Sequence, residues 1–152
     1  MIEQYLNREL VFPELKAQDK SGVIRELAQD VATVCPFLSS NMIEAALLER
    51  ENLDSTAIEK GIAIPHAKVT GIEKPLVAIG KSRTGIDFNS HDKNLTHLFF
   101  VLLAPYGSVA EHLKLLARLA RILSLPDARE RLILGETPKV IYDTLIELEL
   151  EI

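Results

Sequence analysis

LTHLFFVLLA, residues 95–104, is a decapeptide whose only polar members are a threonine and a histidine. A run so apolar, and of strand length, reads as a strand covered on both faces, the middle of a sheet rather than its edge. Two further strand candidates precede it, IAI at 62–64 and LVAIGKS from residue 76. Helical spacing brackets the strands on either side. Ser21 precedes Val23, Ile24, Leu27, Ala28, Val31 and Ala32, one buried face of a helix that must end before Pro36. A second helix starts near Ser39 or Ser40 and turns Ile43, Ala46 and Leu47 inward. Beyond the strands come SVAEHLKLLARLARILS, then DARERLIL after Pro126, then a terminal helix opened by Thr137 and Pro138 and carrying Val140, Ile141, Leu145 and Leu148. Helices before and after the strands predict an α/β fold, a single domain over residues 1–152 with a central mixed β-sheet flanked by helices on both faces.

The bulk properties narrow the function. A chain of 152 residues, 47% hydrophobic and 26% charged, can bury a core without disulfides or a structural metal. A net charge of −5 argues against a nucleic-acid footprint, which needs a basic face. No apolar run approaches the ~18 residues a membrane-spanning helix requires, and MIEQYLNREL lacks the basic start and apolar centre of a signal peptide. The expectation is a cytoplasmic protein with no nucleic-acid partner and no direct membrane insertion. The single cysteine, Cys35, falls at the negative end of the first helix, where the dipole opposes a thiolate, and reads as a packed thiol.

Chemistry concentrates at the histidines. In GIAIPHAK, residues 61–68, Pro65 removes a backbone donor and holds Ile64 extended, so the strand is expected to stop there and leave His66 on the turn beyond it. Strand ends in α/β proteins combine a rigid base with access, although an ordinary loop histidine would look the same. Ser108 and Glu111 spell a capping box that places His112 in the first turn of its helix. Leu113, Leu116, Leu119, Ala120 and Leu123 cluster about the direction of His112, with Lys114, Arg118 and Arg121 opposite, so the ring is expected to face inward. Burial and the positive helix end both disfavour the imidazolium, while free backbone N–H groups attract an anion. A core histidine satisfied by a carbonyl is the competing reading. His91, in the polar loop DFNSHDKN, and His97, within a strand, are assigned no role, and no HxH or HxxxH pair suggests a metal.

RENLDSTAIEKGIAIPHAK and FFVLLAPYGSVAEHLKLLARLARIL together resemble the IIA component, of fructose/mannitol type, of the bacterial phosphoenolpyruvate-dependent sugar phosphotransferase system. The resemblance spans most of the chain and rests on Arg50, Glu51 and Ile64-Pro65-His66 in the first stretch, and on Ala104-Pro105 and Glu111-His112-Leu113 in the second. It implies that His66 is the phosphoacceptor, taking a phosphoryl group from a histidine-containing phosphocarrier protein and passing it to a IIB component. It implies that His112 lies beside His66 to orient or stabilise the group, and that Arg50 stabilises the phosphate; without it Arg50 would pass for a surface charge. Neither a cofactor nor Mg²⁺ is implied. Ser55 and Thr56 offer hydroxyls nearby, with capping or turn roles equally open. The nitrogen-regulatory branch of the family shares the first motif, with glycine usual where this chain has Ala67, and the wording of the second motif is closer to sugar-type members. The partner surface is expected to be an apolar patch around His66.

Overall fold

The computed structural model describes residues 1–152. After a 3₁₀ turn at Ile2–Tyr5, the elements run β1 (Leu6–Phe12), α1 (Lys20–Val34), α2 (Ser40–Glu51), β2 (Ile62–Ala63), β3 (His66–Lys68), β4 (Leu76–Ile86), β5 (Thr96–Ala104), α3 (Val109–Leu123), α4 (Ala128–Leu134) and α5 (Pro138–Glu149). The sheet order is β1-β4-β5-β2, with β3 also paired to β5. It is mixed: β4 and β5 are antiparallel, while β1 joins β4, and β2 and β3 join β5, in parallel.

β5 is the central strand, as its apolar run requires, and every residue in it except half-buried His97 is buried. Its side chains divide by the two-residue period of a strand. Phe99, Val101 and Leu103 pack with Val23, Ile24, Leu27 and Val31 of α1 and with Ile43 and Leu47 of α2. Leu98, Phe100 and Leu102 point the other way, against Leu115 and Leu119 of α3, Leu132 of α4 and Ile141, Leu145 and Leu148 of α5. Helices thus cover both faces of a single mixed sheet, the architecture read from the sequence.

Local chemistry explains where the elements start. Asp19 caps α1 by accepting from Gly22 N at 2.7 Å, Ser39 caps α2 through Met42 N, and Thr137, followed by Pro138, caps α5 through Val140 N. The capping box expected at Ser108 does not form. The Ser108 side chain makes no cap bond, and Glu111 instead accepts from the Tyr5 hydroxyl at 2.5 Å. A tertiary partner from the first turn of the chain has outcompeted the local one.

Two strands escaped the sequence reading. β1 alternates poorly, with three exposed residues in a row, because it lies at the free edge of the sheet. β3 corrects the expectation that the chain leaves the sheet at Pro65. The pairing breaks only across Ile64-Pro65 and resumes at His66, opposite Leu102, so His66 opens a strand rather than lying on a turn. Proline is tolerated because this is the other edge, and its carbonyl still accepts from Leu102 N at 2.9 Å.

Candidate functional site

Three elements bring the site together. Within β3, Ala67 packs into the α1/α2 side of the core, so the alternation sends His66 and Lys68 to the opposite side, toward α3. There the His112 ring lies with its centroid 5.6 Å from that of His66 and its plane at 84° to it, an edge-on approach. From the end of α2, Arg50 reaches the same ring, its Nε 3.3 Å from His66 Nε2. The three residues singled out in the sequence, His66, His112 and Arg50, therefore line one open cleft of about 410 Å³, together with Ala46, Glu49, Leu53, Ala67, Lys68 and Tyr106.

The hydrogen bonds settle which nitrogen is free. His66 Nδ1 lies 2.7 Å from the carbonyl oxygen of Ile64. A carbonyl only accepts, so Nδ1 carries the proton and donates it. The remaining nitrogen, Nε2, faces the Arg50 Nε–H, which also only donates, so Nε2 must present its lone pair. The ring is the neutral Nδ1–H tautomer with its nucleophilic nitrogen turned into the cleft.

Electrostatics agree. Burial is the largest influence on His66 and pushes its pKa below the ordinary value; the Ile64 bond and Glu51 oppose this, and Arg50 adds to it. His112 is likewise held low by burial first, then by His66 and Lys68. Two imidazoles side by side near cations resist protonation for the same reason: each added charge would be poorly solvated and close to another of the same sign. The arrangement offers a neutral nitrogen nucleophile flanked by a guanidinium, chemistry suited to an electrophile that carries negative charge.

Arg50 is aimed by the loop that follows it. Its Nη1 donates to the Asp54 carbonyl at 2.8 Å, leaving Nη2 without a protein acceptor. Ser55 and Thr56 do not face the cleft. Ser55 Oγ donates to Phe88 O at 2.6 Å, and the buried Thr56 hydroxyl donates to Glu51. Both serve the framework. His97 Nδ1 bonds the Ser82 carbonyl at 2.9 Å, and His91 lies on the surface 3.5 Å from Asp54 Oδ1. Cys35 is buried at the end of α1, and burial first, then Glu9, raises its thiol pKa. No group of three or more His, Cys, Asp and Glu side chains is placed to hold a metal ion.

The apolar face of α3 lies about one position from the expected one, although His112 does face inward. The buried stripe is His112, Leu115, Leu119, Ile122 and Leu123; Leu113 is 60% exposed, and Leu116 and Ala120 are only partly buried. The buried positions recur at spacings of three and four, and Leu113, turned away from them, joins Val109 as exposed apolar surface beside His112. Leu53 and Tyr106, 79% and 63% exposed, line the cleft itself. Two contributors to the site, the carbonyls of Ile64 and Asp54, had no signal in the sequence, since backbone acceptors carry no residue type.

Comparison with known proteins adds an independent finding. Residues 4–148 match the family described as "Phosphoenolpyruvate-dependent sugar phosphotransferase system, EIIA 2". The chain is 38% identical over 137 residues to a nitrogen regulatory protein of Bradyrhizobium diazoefficiens, covering 90% of this chain and 89% of that one. It is 41% identical over 102 residues to the fructose-specific EIIA component of the phosphotransferase system of Haloferax volcanii, covering 67% and 66%. Its fold superposes on the crystal structure of nitrogen regulatory protein IIA-Ntr from Neisseria meningitidis with a TM-score of 0.87 at 26% identity, over 95% of this chain and 98% of that one. With both sugar-specific and nitrogen-regulatory relatives in view, the chain belongs to the EIIA 2 family of phosphotransfer components of the phosphoenolpyruvate-dependent sugar phosphotransferase system.

Proposed function

We propose that the protein is a phosphocarrier in sugar uptake whose His66 Nε2 accepts a phosphoryl group from a histidine-containing phosphocarrier protein and surrenders it to a IIB component. The observation that carries this reading is the Nδ1–H···O=C bond to Ile64 at 2.7 Å, which leaves the Nε2 lone pair facing the cleft. In the transfer, that lone pair forms the new N–P bond as the P–N bond to the donor imidazole breaks, and the donor nitrogen keeps the electron pair. No proton need leave His66, because Nδ1–H stays on the Ile64 carbonyl throughout. Arg50 moves from Nε2 onto the phosphoryl oxygens, where a guanidinium forms paired charge-assisted bonds. His112 contacts the same oxygens from its side. With nitrogen as both nucleophile and leaving group the exchange is nearly balanced, so the residues supply position and charge rather than driving force. The apolar rim of Leu53, Tyr106, Val109 and Leu113 is where a partner would exclude water during transfer.

The extent of the similarity to a nitrogen regulatory protein, over 90% of this chain, favours a second reading: His66 phosphorylation as a switch that changes which protein this surface contacts. One experiment separates them. Labelling with phosphoenolpyruvate and the general phosphotransferase components is expected to place acid-labile phosphate on His66, and His66→Ala to abolish it; unchanged labelling of that variant overturns both readings. Onward transfer to IIB domains then identifies the carrier. Failure to donate, with partner binding that follows the phosphorylation state, identifies the switch.

A further inference from the structure

Glu51 is the last residue of α2, directly after Arg50, and its side chain is 2% exposed. A carboxylate buried to that degree needs partners, and all of them lie behind the cleft rather than in it. Lys20 Nζ, at the start of α1, stands 3.0 Å from Oε2 and 4.6 Å above the Phe88 ring. The Thr56 N–H donates to the same oxygen at 3.1 Å, and the Thr56 hydroxyl donates to Oε1.

From Thr56 the connection runs forward to the histidine. The Thr56 carbonyl accepts from Ile64 N at 3.0 Å, and the carbonyl of that same residue, Ile64, accepts from His66 Nδ1 at 2.7 Å. Thr56 thus fixes one side of the residue whose other side fixes the ring. A second arm leaves the same segment: the Asp54 carbonyl, two residues before Thr56, holds Arg50 Nη1. Both the nucleophile and its cation are therefore anchored through a short loop that a single carboxylate pins down.

Stability alone is a weak reason for that carboxylate, because buried ion pairs are commonly no better than apolar residues of the same volume. Its geometric consequence is stronger. A carboxylate only accepts, so it receives the Thr56 N–H and O–H together and leaves the Thr56 carbonyl for Ile64. An amide of the same shape can keep its oxygen on Lys20 and the Thr56 N–H only by turning its NH2 toward the Thr56 hydroxyl, which must then accept instead of donate, and it removes the negative charge that holds Lys20.

We propose that Glu51, braced by Lys20 and acting through Thr56 and Ile64, is a positioning residue that fixes the tautomer and bearing of the His66 ring and the reach of Arg50. The proposal rests on His66 being the phosphoacceptor for its effect on rate, but not for its effect on the ring.

The test uses Glu51→Gln, Thr56→Val, which removes only a hydroxyl, and Thr56→Ser, which restores one. Two readouts are followed in the full chain: the ¹⁵N shifts of the His66 ring nitrogens, and single-turnover transfer from the phosphorylated carrier protein. In the parent protein the ring is expected to be the Nδ1–H form. In Glu51→Gln and Thr56→Val the tautomers should mix and the transfer rate constant should fall about tenfold or more, with the carrier concentration for half-maximal rate nearly unchanged. Thr56→Ser should recover both. Variants that melt earlier yet keep the parent tautomer and rate would show a purely structural role and overturn the proposal. A parent chain that takes no label at His66 would refute the phosphoacceptor reading instead, and a tautomer shift in the variants would still support the positioning role.

Discussion

A histidine can attack phosphorus only through an unprotonated nitrogen, and at His66 two neighbours that cannot change roles enforce one. The Ile64 carbonyl demands a proton on Nδ1, and the Arg50 Nε–H demands a lone pair on Nε2. Burial acts in the same direction on His66 and on His112, so both rings are expected to titrate with midpoints below the ordinary ~6.5, read from their C–H proton shifts. A midpoint at or above 6.5 for His66 would contradict the argument. The linkage has a definite sign. A folded-state pKa below the unfolded one means that the unfolded chain binds more protons, so these rings cost stability only as pH falls below about 6.5, and nothing further once it drops past their folded values. Arg50 allows a sharper test. Lysine has no fork, so it cannot hold the Asp54 carbonyl and reach His66 Nε2 together, and Arg50→Lys is expected to slow single-turnover transfer about tenfold or more while keeping the fold. Retention of the parent rate would mean that charge alone suffices. The grouping of His66, His112 and Arg50 was legible through the resemblance that the two motifs carry together; taken singly, each also read as a loop histidine, a core histidine or a surface charge. The site's acceptors were not legible, because a carbonyl of Ile64 or Asp54 looks like any other until the chain is folded.

At the scale of elements, what the sequence conveyed depended on whether the deciding contact was local. Thr137-Pro138 and Ser39 cap their helices as read, since the partner of a cap lies within three residues. The Ser108–Glu111 box failed because Tyr5, far away in the chain, competes for Glu111, whose hydrogen bond first, and burial second, push the pKa of the Tyr5 hydroxyl up to about 12. β3 was missed for a related reason: a proline normally ends a strand, and only pairing to β5 explains why this one resumes. These contacts predict unequal costs for similar mutations. Asp19→Ala removes a 2.7 Å cap from α1 and should cost about 1 kcal/mol, whereas Ser108→Ala removes no cap bond and should stay within about 0.5 kcal/mol. Equilibrium denaturation of the two variants with a common m-value checks the difference; equal losses would mean that the Ser108 hydroxyl caps α3 in solution.

Across the whole molecule, the core is divided by the sheet, and its two sides are closed differently. The α1/α2 side is closed by helices adjacent in sequence, while the α3–α5 side needs the two ends of the chain to meet. Buried Glu149, the last residue of α5, accepts from Ile2 N at 2.9 Å and from Arg118 Nε, so one carboxylate joins the first turn of the chain, the middle of α3 and the end of α5. Its other oxygen is buried with no partner. Arg118 is therefore the chief compensation for a charge that burial penalises, and Arg118→Met should cost about 2 kcal/mol, less than for a fully buried pair because the guanidinium is partly exposed to water. Glu149→Gln in the same background should return part of that loss, since it removes the uncompensated charge and keeps an acceptor for Ile2. Phosphoryl acceptance should survive both changes. His112 is held at the start of α3 by its own backbone bond to the Ser108 carbonyl at 2.9 Å and by burial, and the Arg50 and Glu51 anchors belong to the opposite side of the sheet. A denaturant midpoint that falls in Arg118→Met and partly recovers in the double variant, with His66 labelling kept in each, is the expected pattern. Loss of labelling without loss of stability would show instead that the join of the chain ends reaches the cleft through α3.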